Sequence, residues 1–73
     1  MLKYENVVPQ IARVIMESGL GPDDMDECLD YADGVFHDLG AVNVAIFRGL
    51  VFVEREDAIE VSKEDGGFLV EIK

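Results

Sequence analysis

The chain is poor in several residue types that often stabilise or functionalise a small protein. Its 73 residues include one cysteine (Cys28), two prolines and no tryptophan. A single cysteine excludes an internal disulfide. Together with the lack of a signal peptide, it indicates a reducing compartment, so we expect a cytoplasmic protein. No apolar run approaches the roughly 20 residues that cross a bilayer, so we expect no membrane segment.

Positive charge is also scarce. Lysine and arginine total 6 against 16 aspartates and glutamates, which gives a net charge of −10. We therefore expect no direct binding to nucleic acid or anionic lipid, because both would repel the chain. The charge favours a basic protein as a partner, although solubility or adaptation to high salt would also account for it. Apolar residues make up 49% of the chain, so residues 1–73 are expected to form one small domain with a single core.

Two helices are predicted in the first half of the chain. The first runs from about Asn6 to Ser18, with a broad apolar face and with Pro9 in its first turn. The second is predicted to begin with Asp23 as its N-cap and to end at Gly40. Its apolar residues recur at helical spacing: Met25, Cys28, Leu29, Ala32, Phe36 and Leu39.

After Gly40 the apolar period changes to two, which predicts four strands. They are Ala41 to Phe47, Leu50 to Glu54, Ala58 to Ser62 and Phe68 to Ile72, with a tight hairpin at Arg48-Gly49. The predicted fold is therefore α+β, in the order ααββββ, with two N-terminal helices on one face of a four-stranded antiparallel sheet. The aromatic residues are expected in or beside the core: Phe47, Phe52, Phe68, Tyr4 and Tyr31.

The predicted strand Ala41 to Phe47 carries no charged residue. In a simple meander it would lie at an edge of the sheet, where an uncharged strand invites pairing with another chain. Two alternatives follow. Either the strand order moves this strand to the centre of the sheet, or the strand forms an interface, for example in a homodimer.

Acidic residues are concentrated in the second helix. No lysine or arginine occurs between Arg13 and Arg48, whereas this stretch holds Glu17, Asp23, Asp24, Asp26, Glu27, Asp30, Asp33 and Asp38. Aspartate is a mediocre helix former, so helix propensity does not explain the choice. The last seven of these acids span about 24 Å of helix, or one charge per about 3.4 Å, which is similar to one strand of duplex DNA.

The ordinary explanation for such residues is a solvated helix face with acids near the positive N-terminal end. Asp38 lies near the other end, where the dipole disfavours it, and the like charges of Asp26 and Asp30 destabilise the helix. These costs favour a binding role. The expected partner-binding residues are Asp23, Asp26, Glu27, Asp30, Tyr31 and Asp33. A second acidic group, Glu54 to Asp65, is interleaved with Arg55 and Lys63 and is expected to protect strand ends.

Catalytic and metal-binding patterns are weak. The acids from Asp24 onward do not fit a calcium loop, because Cys28 and Leu29 occupy the next two required positions, those of a ligand and of the loop glycine. Asp30, Asp33 and His37 share a helix face but lack a fourth ligand, and Cys28 lies on the apolar face. We expect no catalytic residue, metal site or cofactor.

The leading hypothesis is a non-catalytic acidic module that occupies the basic, nucleic-acid-binding surface of a partner protein, as a nucleic-acid mimic. Small acidic inhibitors of phages or mobile elements share this charge and size, which is an analogy only. The alternative is a small assembly subunit that self-associates through the uncharged strand Ala41 to Phe47.

Overall fold

The computed structural model describes residues 2–73, and within them two helices precede a four-stranded antiparallel sheet. The elements are α1 (Tyr4–Ser18), α2 (Met25–Val42), β1 (Val44–Phe47), β2 (Leu50–Glu54), β3 (Ile59–Lys63) and β4 (Phe68–Ile72). The helices pack against each other and against one face of the sheet. The predicted α+β order ααββββ is confirmed. Within residues 2–73, neither helix combines the length and the apolar character needed to cross a membrane.

Helix α1 begins at Tyr4, two residues before the predicted start at Asn6. The backbone N–H groups of Asn6 and Val7 both donate to the Lys3 carbonyl, at 3.0 and 2.9 Å, so a helical turn already precedes Asn6. Pro9 therefore lies in the second turn, and its predicted place in the first turn was wrong. The hydrogen bond that proline cannot donate would have reached the Glu5 carbonyl, and this exposed residue can bond to water instead.

Both predicted ends of α2 shift along the chain. The N-cap is Asp24 rather than Asp23, and its side chain accepts a hydrogen bond from the Asp26 N–H at 3.2 Å. The helix continues through Gly40 and ends at Val42. Asn43 then takes the left-handed conformation (φ 66°) and donates its N–H to the Leu39 carbonyl at 2.9 Å. Asparagine tolerates this conformation, so Gly40 is not needed as the stop.

The sheet is a simple meander in the order β1-β2-β3-β4, so β1 is an edge strand. The alternative in which strand order moves this segment to the centre was wrong, because short connections keep consecutive strands adjacent. The strand is also shorter than predicted and starts at Val44. Arg48 (φ 46°) and Gly49 (φ 87°) form the two-residue turn between β1 and β2, as predicted. Strand β3 is displaced by one residue from its predicted range.

The inner face of the sheet and the helices share one core. Phe52, with no exposed surface, is the largest fully buried side chain, and Leu50, Ile59, Val61 and Ile72 belong to the same core cluster. From the helices the core receives Val7, Val8, Ile11, Ala12, Ile15, Cys28, Ala32, Val35 and Leu39. This packing fixes which sides of α1 and α2 face outward.

The outer face of the sheet has no covering layer within residues 2–73. Its cross-strand rows are Val44, Val53, Glu60 and Glu71, and Ile46, Val51, Ser62 and Phe68. Phe68 is 65% exposed, so its expected place in or beside the core was wrong. A register shift between Val61 and Ser62 moves Phe68 to the outer face, opposite Ser62. The outer face is thus apolar on β1 and β2 and partly acidic on β3 and β4.

Candidate functional site

Helix α2 directs its acids outward because its apolar residues fix its rotation. Cys28, Ala32, Val35 and Leu39 are buried. At about 100° per residue, Asp30 lies almost directly opposite their mean direction, and Asp26 lies about 40° around the helix from Asp30. The acidic face is defined here as the outward carboxylates of this helix and its N-terminal approach: Asp23, Asp24, Asp26, Glu27, Asp30, Asp33 and Asp38. All but Asp33 are exposed.

Asp33 is held by its neighbours. The Tyr4 hydroxyl of α1 donates a hydrogen bond to Asp33 Oδ1 at 2.7 Å, and His37 Nε2 lies 3.6 Å from the same oxygen. The hydrogen bond to this carboxylate raises the pKa of Tyr4, with smaller contributions from burial and from the charges of Asp33 and Asp30. Asp33 therefore links the two helices in addition to contributing negative charge.

A groove of about 450 Å³ lies between α1 and α2 beside this link. Val8, Pro9 and Leu29 contribute apolar surface to it, whereas its carboxylates come from the residues at its rim, Glu5, Asp30 and Asp33. Lysine and arginine have an apolar stem and a charged head. The groove thus has the chemistry to accept a long basic side chain.

Tyr31 faces a different direction from Asp30 and Asp33. Its ring packs on Phe47 of β1 with a centroid distance of 5.0 Å, and the Arg48 guanidinium lies 5.5 Å from the Tyr31 ring centre. Arg48 also donates to the Leu20 carbonyl at 3.4 Å. This cation is therefore engaged with aromatic rings and backbone, not with the carboxylates of α2. Tyr31 remains partly exposed, on the flank of α2 nearest β1.

Few basic side chains neutralise the acids. In the described part of the chain the ion pairs are Arg55–Glu60 and Lys73–Glu71. On α2 the only close contact of this kind in those residues is that of His37 with Asp33, and histidine carries a charge only when protonated. No lysine or arginine of residues 2–73 forms an ion pair with the acidic face, which leaves its carboxylates available to outside cations.

The second acidic group, Glu54 to Asp65, is divided between the two ends of the sheet. The Glu54 N–H donates to the Asn43 carbonyl at 2.9 Å, which places Glu54 beside the C-terminal end of α2. The Glu64 N–H donates to the Gly49 carbonyl at 2.9 Å, at the opposite end of the sheet. These acids are therefore divided between two ends of the molecule.

Cys28 is a buried thiol rather than an accessible nucleophile. It has no exposed surface, and its Sγ donates to the Pro22 carbonyl at 3.3 Å. Burial raises the pKa of Cys28, and the charges of Asp24, Glu27 and Asp23 raise it further. Among residues 2–73, no three or more histidine, cysteine, aspartate or glutamate side chains are grouped so that they could hold a metal ion.

Sequence reasoning missed two features of this surface. One is the hydrogen bond between Tyr4 and Asp33, which no local pattern signals because the residues belong to different helices. The other is Gly34, which lies exposed among the acids of α2 with no atom within 4 Å of the position a Cβ would take. This second feature was visible in the sequence, because glycine is unfavourable in a helix and is unexpected on the outward side of a predicted one. Comparison of the chain with protein-family models, curated proteins and solved structures finds no match.

Proposed function

We propose that this chain is a non-catalytic protein-binding module whose acidic face binds a basic surface on a partner protein. The observation that carries the proposal is the imbalance of charge on α2. All its carboxylates except that of Asp33 are exposed, and within residues 2–73 none is paired with lysine or arginine. Arginines of a partner would form charge-assisted, two-pronged hydrogen bonds with these carboxylates and relieve their mutual repulsion.

Two further properties of α2 support a binding role. Aspartate is a poorer helix former than glutamate, and an exposed helical glycine such as Gly34 is destabilising by about 1 kcal/mol relative to alanine. A helix that only needed to be soluble would gain stability from glutamate and alanine at these positions. Short aspartates hold their charge close to the backbone, and Gly34 lets a partner approach the helix closely.

The spacing of the negative charges on α2 indicates what kind of basic partner would fit. A basic surface that matches closely spaced negative charges is typical of proteins that bind nucleic acid. Asp26 and Asp30 are separated by about 6 Å along the helix axis, and the whole acidic face extends over about 24 Å. We therefore propose that the partner is a nucleic-acid-binding protein and that this chain blocks its nucleic-acid site.

The test is an affinity capture from lysate with nuclease present, so that nucleic acid cannot bridge proteins. The informative variant is Asp26→Asn/Asp30→Asn, because both carboxylates are exposed and neither holds the helices together. Asp33 is left intact because it accepts the hydrogen bond from Tyr4. The matched control is Glu56→Gln/Asp57→Asn, which makes the same change in net charge in the exposed turn between β2 and β3.

The proposal expects wild type and the turn control to retain the same basic protein, and Asp26→Asn/Asp30→Asn to lose it. Removing each such contact should weaken binding by about 2–5 kcal/mol when the carboxylate is desolvated against an arginine. A duplex DNA or RNA oligonucleotide should then displace the chain from the captured protein. Equal retention by all three forms would refute the role of the acidic face. Retention without displacement would refute the nucleic-acid part alone.

A further inference from the structure

The two edges of the sheet differ in how they are protected against pairing. Strand β4 contains Glu71 and is followed by Lys73, and its pairing with β3 includes a register shift. Charges and irregularities of this kind prevent edge-to-edge association. Strand β1 (VAIF) has no charge and pairs with β2 in regular register. Only β1 is therefore an unprotected edge.

The backbone groups that β1 leaves free can be assigned. The Glu54 N–H donates to the Asn43 carbonyl, so Asn43 and Glu54 form a hydrogen-bonded pair of the antiparallel ladder. Such pairs alternate, so Ala45 and Phe47 also hydrogen-bond to β2. The N–H and C=O groups of Val44 and Ile46 therefore point away from β2. Their side chains, on the outer face of the sheet, are 41% and 63% exposed.

We propose that β1 is a homodimer interface, in which a second copy of this chain pairs its own β1 antiparallel to the first. One register satisfies all the free backbone groups of both edges. In this register Val44 lies opposite Ile46 of the second copy, and Ile46 lies opposite Val44 of the second copy. Ala45 faces its own counterpart on the two-fold axis. A symmetric pairing centred on Val44 or Ile46 would satisfy only half of these groups.

The side chains suit this register. Val44 and Ile46 would continue the apolar surface of Val51 and Val53 across the axis, on the outer face of one continuous sheet. At the axis the inner face carries only the small side chain of Ala45, so two copies can approach closely. Pairing uses up the unprotected edge and leaves β4 outermost, so the assembly closes as a dimer.

One local charge contact favours a second copy at this edge, whereas the net charge of the chain opposes it. The register places Arg48 opposite Val42 of the second copy, beside the last turn of α2. That turn has no basic residue, its free carbonyls give it partial negative charge, and Asp38 lies one turn earlier. The same flank of α2 also carries Glu27, so two copies with a net charge of −10 each repel one another at low salt. Added salt should therefore strengthen the dimer.

The test is sedimentation velocity on the 8.1 kDa chain over a concentration series up to about 1 mM, because a four-residue edge buries less than the roughly 1,200 Å² of standard interfaces. Ile46→Lys puts a charge on the edge. Phe68→Lys makes the same charge change at an exposed apolar residue on the opposite edge strand and is the matched control. Of the backbone donors of β1, Ile46→Pro removes one N–H, which points away from β2, so it tests the backbone contact without breaking the internal ladder.

Wild type and Phe68→Lys should dimerise, more tightly at about 0.5 M than at about 0.05 M salt, since screening is stronger there. Ile46→Lys and Ile46→Pro should weaken dimerisation at least tenfold, with circular dichroism confirming that each remains folded. In a mixed isotope-labelled sample, methyl contacts between Val44 and Ile46 of different copies should appear. A monomeric wild type throughout the range, equal dimerisation by the Ile46 variants, or a dimer without these methyl contacts would overturn the proposal.

Discussion

The connection between α1 and α2, residues 19–24, gives the sharpest stability prediction, and this segment is called the joint below. A Cβ at Gly21 would lie 2.6 Å from Ile15 Cγ2 and 3.3 Å from Phe47 Cε2. Carbon atoms pack at about 3.5–4.0 Å, so the contact with Ile15 is about 1 Å too short. Ile15 is fully buried, and a β-branched side chain in a helix has essentially one χ1 rotamer, so it cannot turn aside. Gly21→Ala must therefore shift α1, the joint or β1.

The expected magnitude follows from two opposing effects. Overpacking of a core contact costs about 1–3 kcal/mol. Replacing glycine by alanine also restricts the unfolded chain, which returns about 0.4–1 kcal/mol. The net loss in the free energy of unfolding should be about 1–2 kcal/mol. In a domain of this size, each kcal/mol corresponds to about 4–8 °C in Tm.

Gly34→Ala is the matched control, since it makes the same chemical change on α2 with open space around the new methyl group. It should stabilise the protein by about 0.8–1 kcal/mol through helix propensity. Urea unfolding followed by circular dichroism at 222 nm suits a chain without tryptophan. The two variants should thus change stability in opposite directions. If Gly21→Ala were neutral or stabilising with an unchanged m-value, the close packing of the joint against Ile15 and Phe47 would be wrong.

Two further predictions concern ionisable groups. Because burial raises the pKa of Cys28, a thiol reagent at pH 8 should modify it slowly in the native state and at the rate of a free thiol in urea. The unfolded thiol ionises at lower pH than the native one, so its contribution to stability should be lost as pH rises above about 8.5; rapid native labelling would contradict its burial. Because the hydrogen bond to Asp33 raises the pKa of Tyr4, Asp33→Asn in a Tyr31→Phe background should shift the 295 nm titration of Tyr4 to lower pH. An unchanged titration would mean that the hydrogen bond is absent in solution.

The sequence predicted helices and strands well where local patterns determine them. It predicted them poorly where contacts between distant parts of the chain determine them. The apolar spacing of α2 predicted which of its acids point outward. Gly40 and Asn43 are both suitable helix ends, and the local pattern did not reveal that the chain would use the later one. The outward turn of Phe68 depends on pairing between β3 and β4, which alternation within one strand does not encode.

In the candidate site, too, the sequence predicted features set by one helix and missed contacts between elements. Asp26 and Asp30 were identified because their exposure follows from the period of a single helix. The contact of Tyr4 with Asp33 depends on how α1 is rotated against α2, and that rotation is set by the shared core. Tyr31 was grouped with the acids because it flanks them on the predicted helix and is a rigid, amphipathic side chain, yet it packs against Phe47 and Arg48 of the hairpin.

The two proposed interfaces differ in a way that a single variable can separate. Binding through the acidic face depends on attraction between exposed charges, so it should weaken as ionic strength rises. Pairing through β1 depends on backbone hydrogen bonds and apolar contacts between two negatively charged copies, so it should strengthen over the same range. Both Glu27 and Asp38 lie on the flank of α2 that faces the β1 edge. A basic partner bound there would neutralise the charges that oppose dimerisation, so the two associations should reinforce each other at low salt even though salt alone affects them in opposite directions.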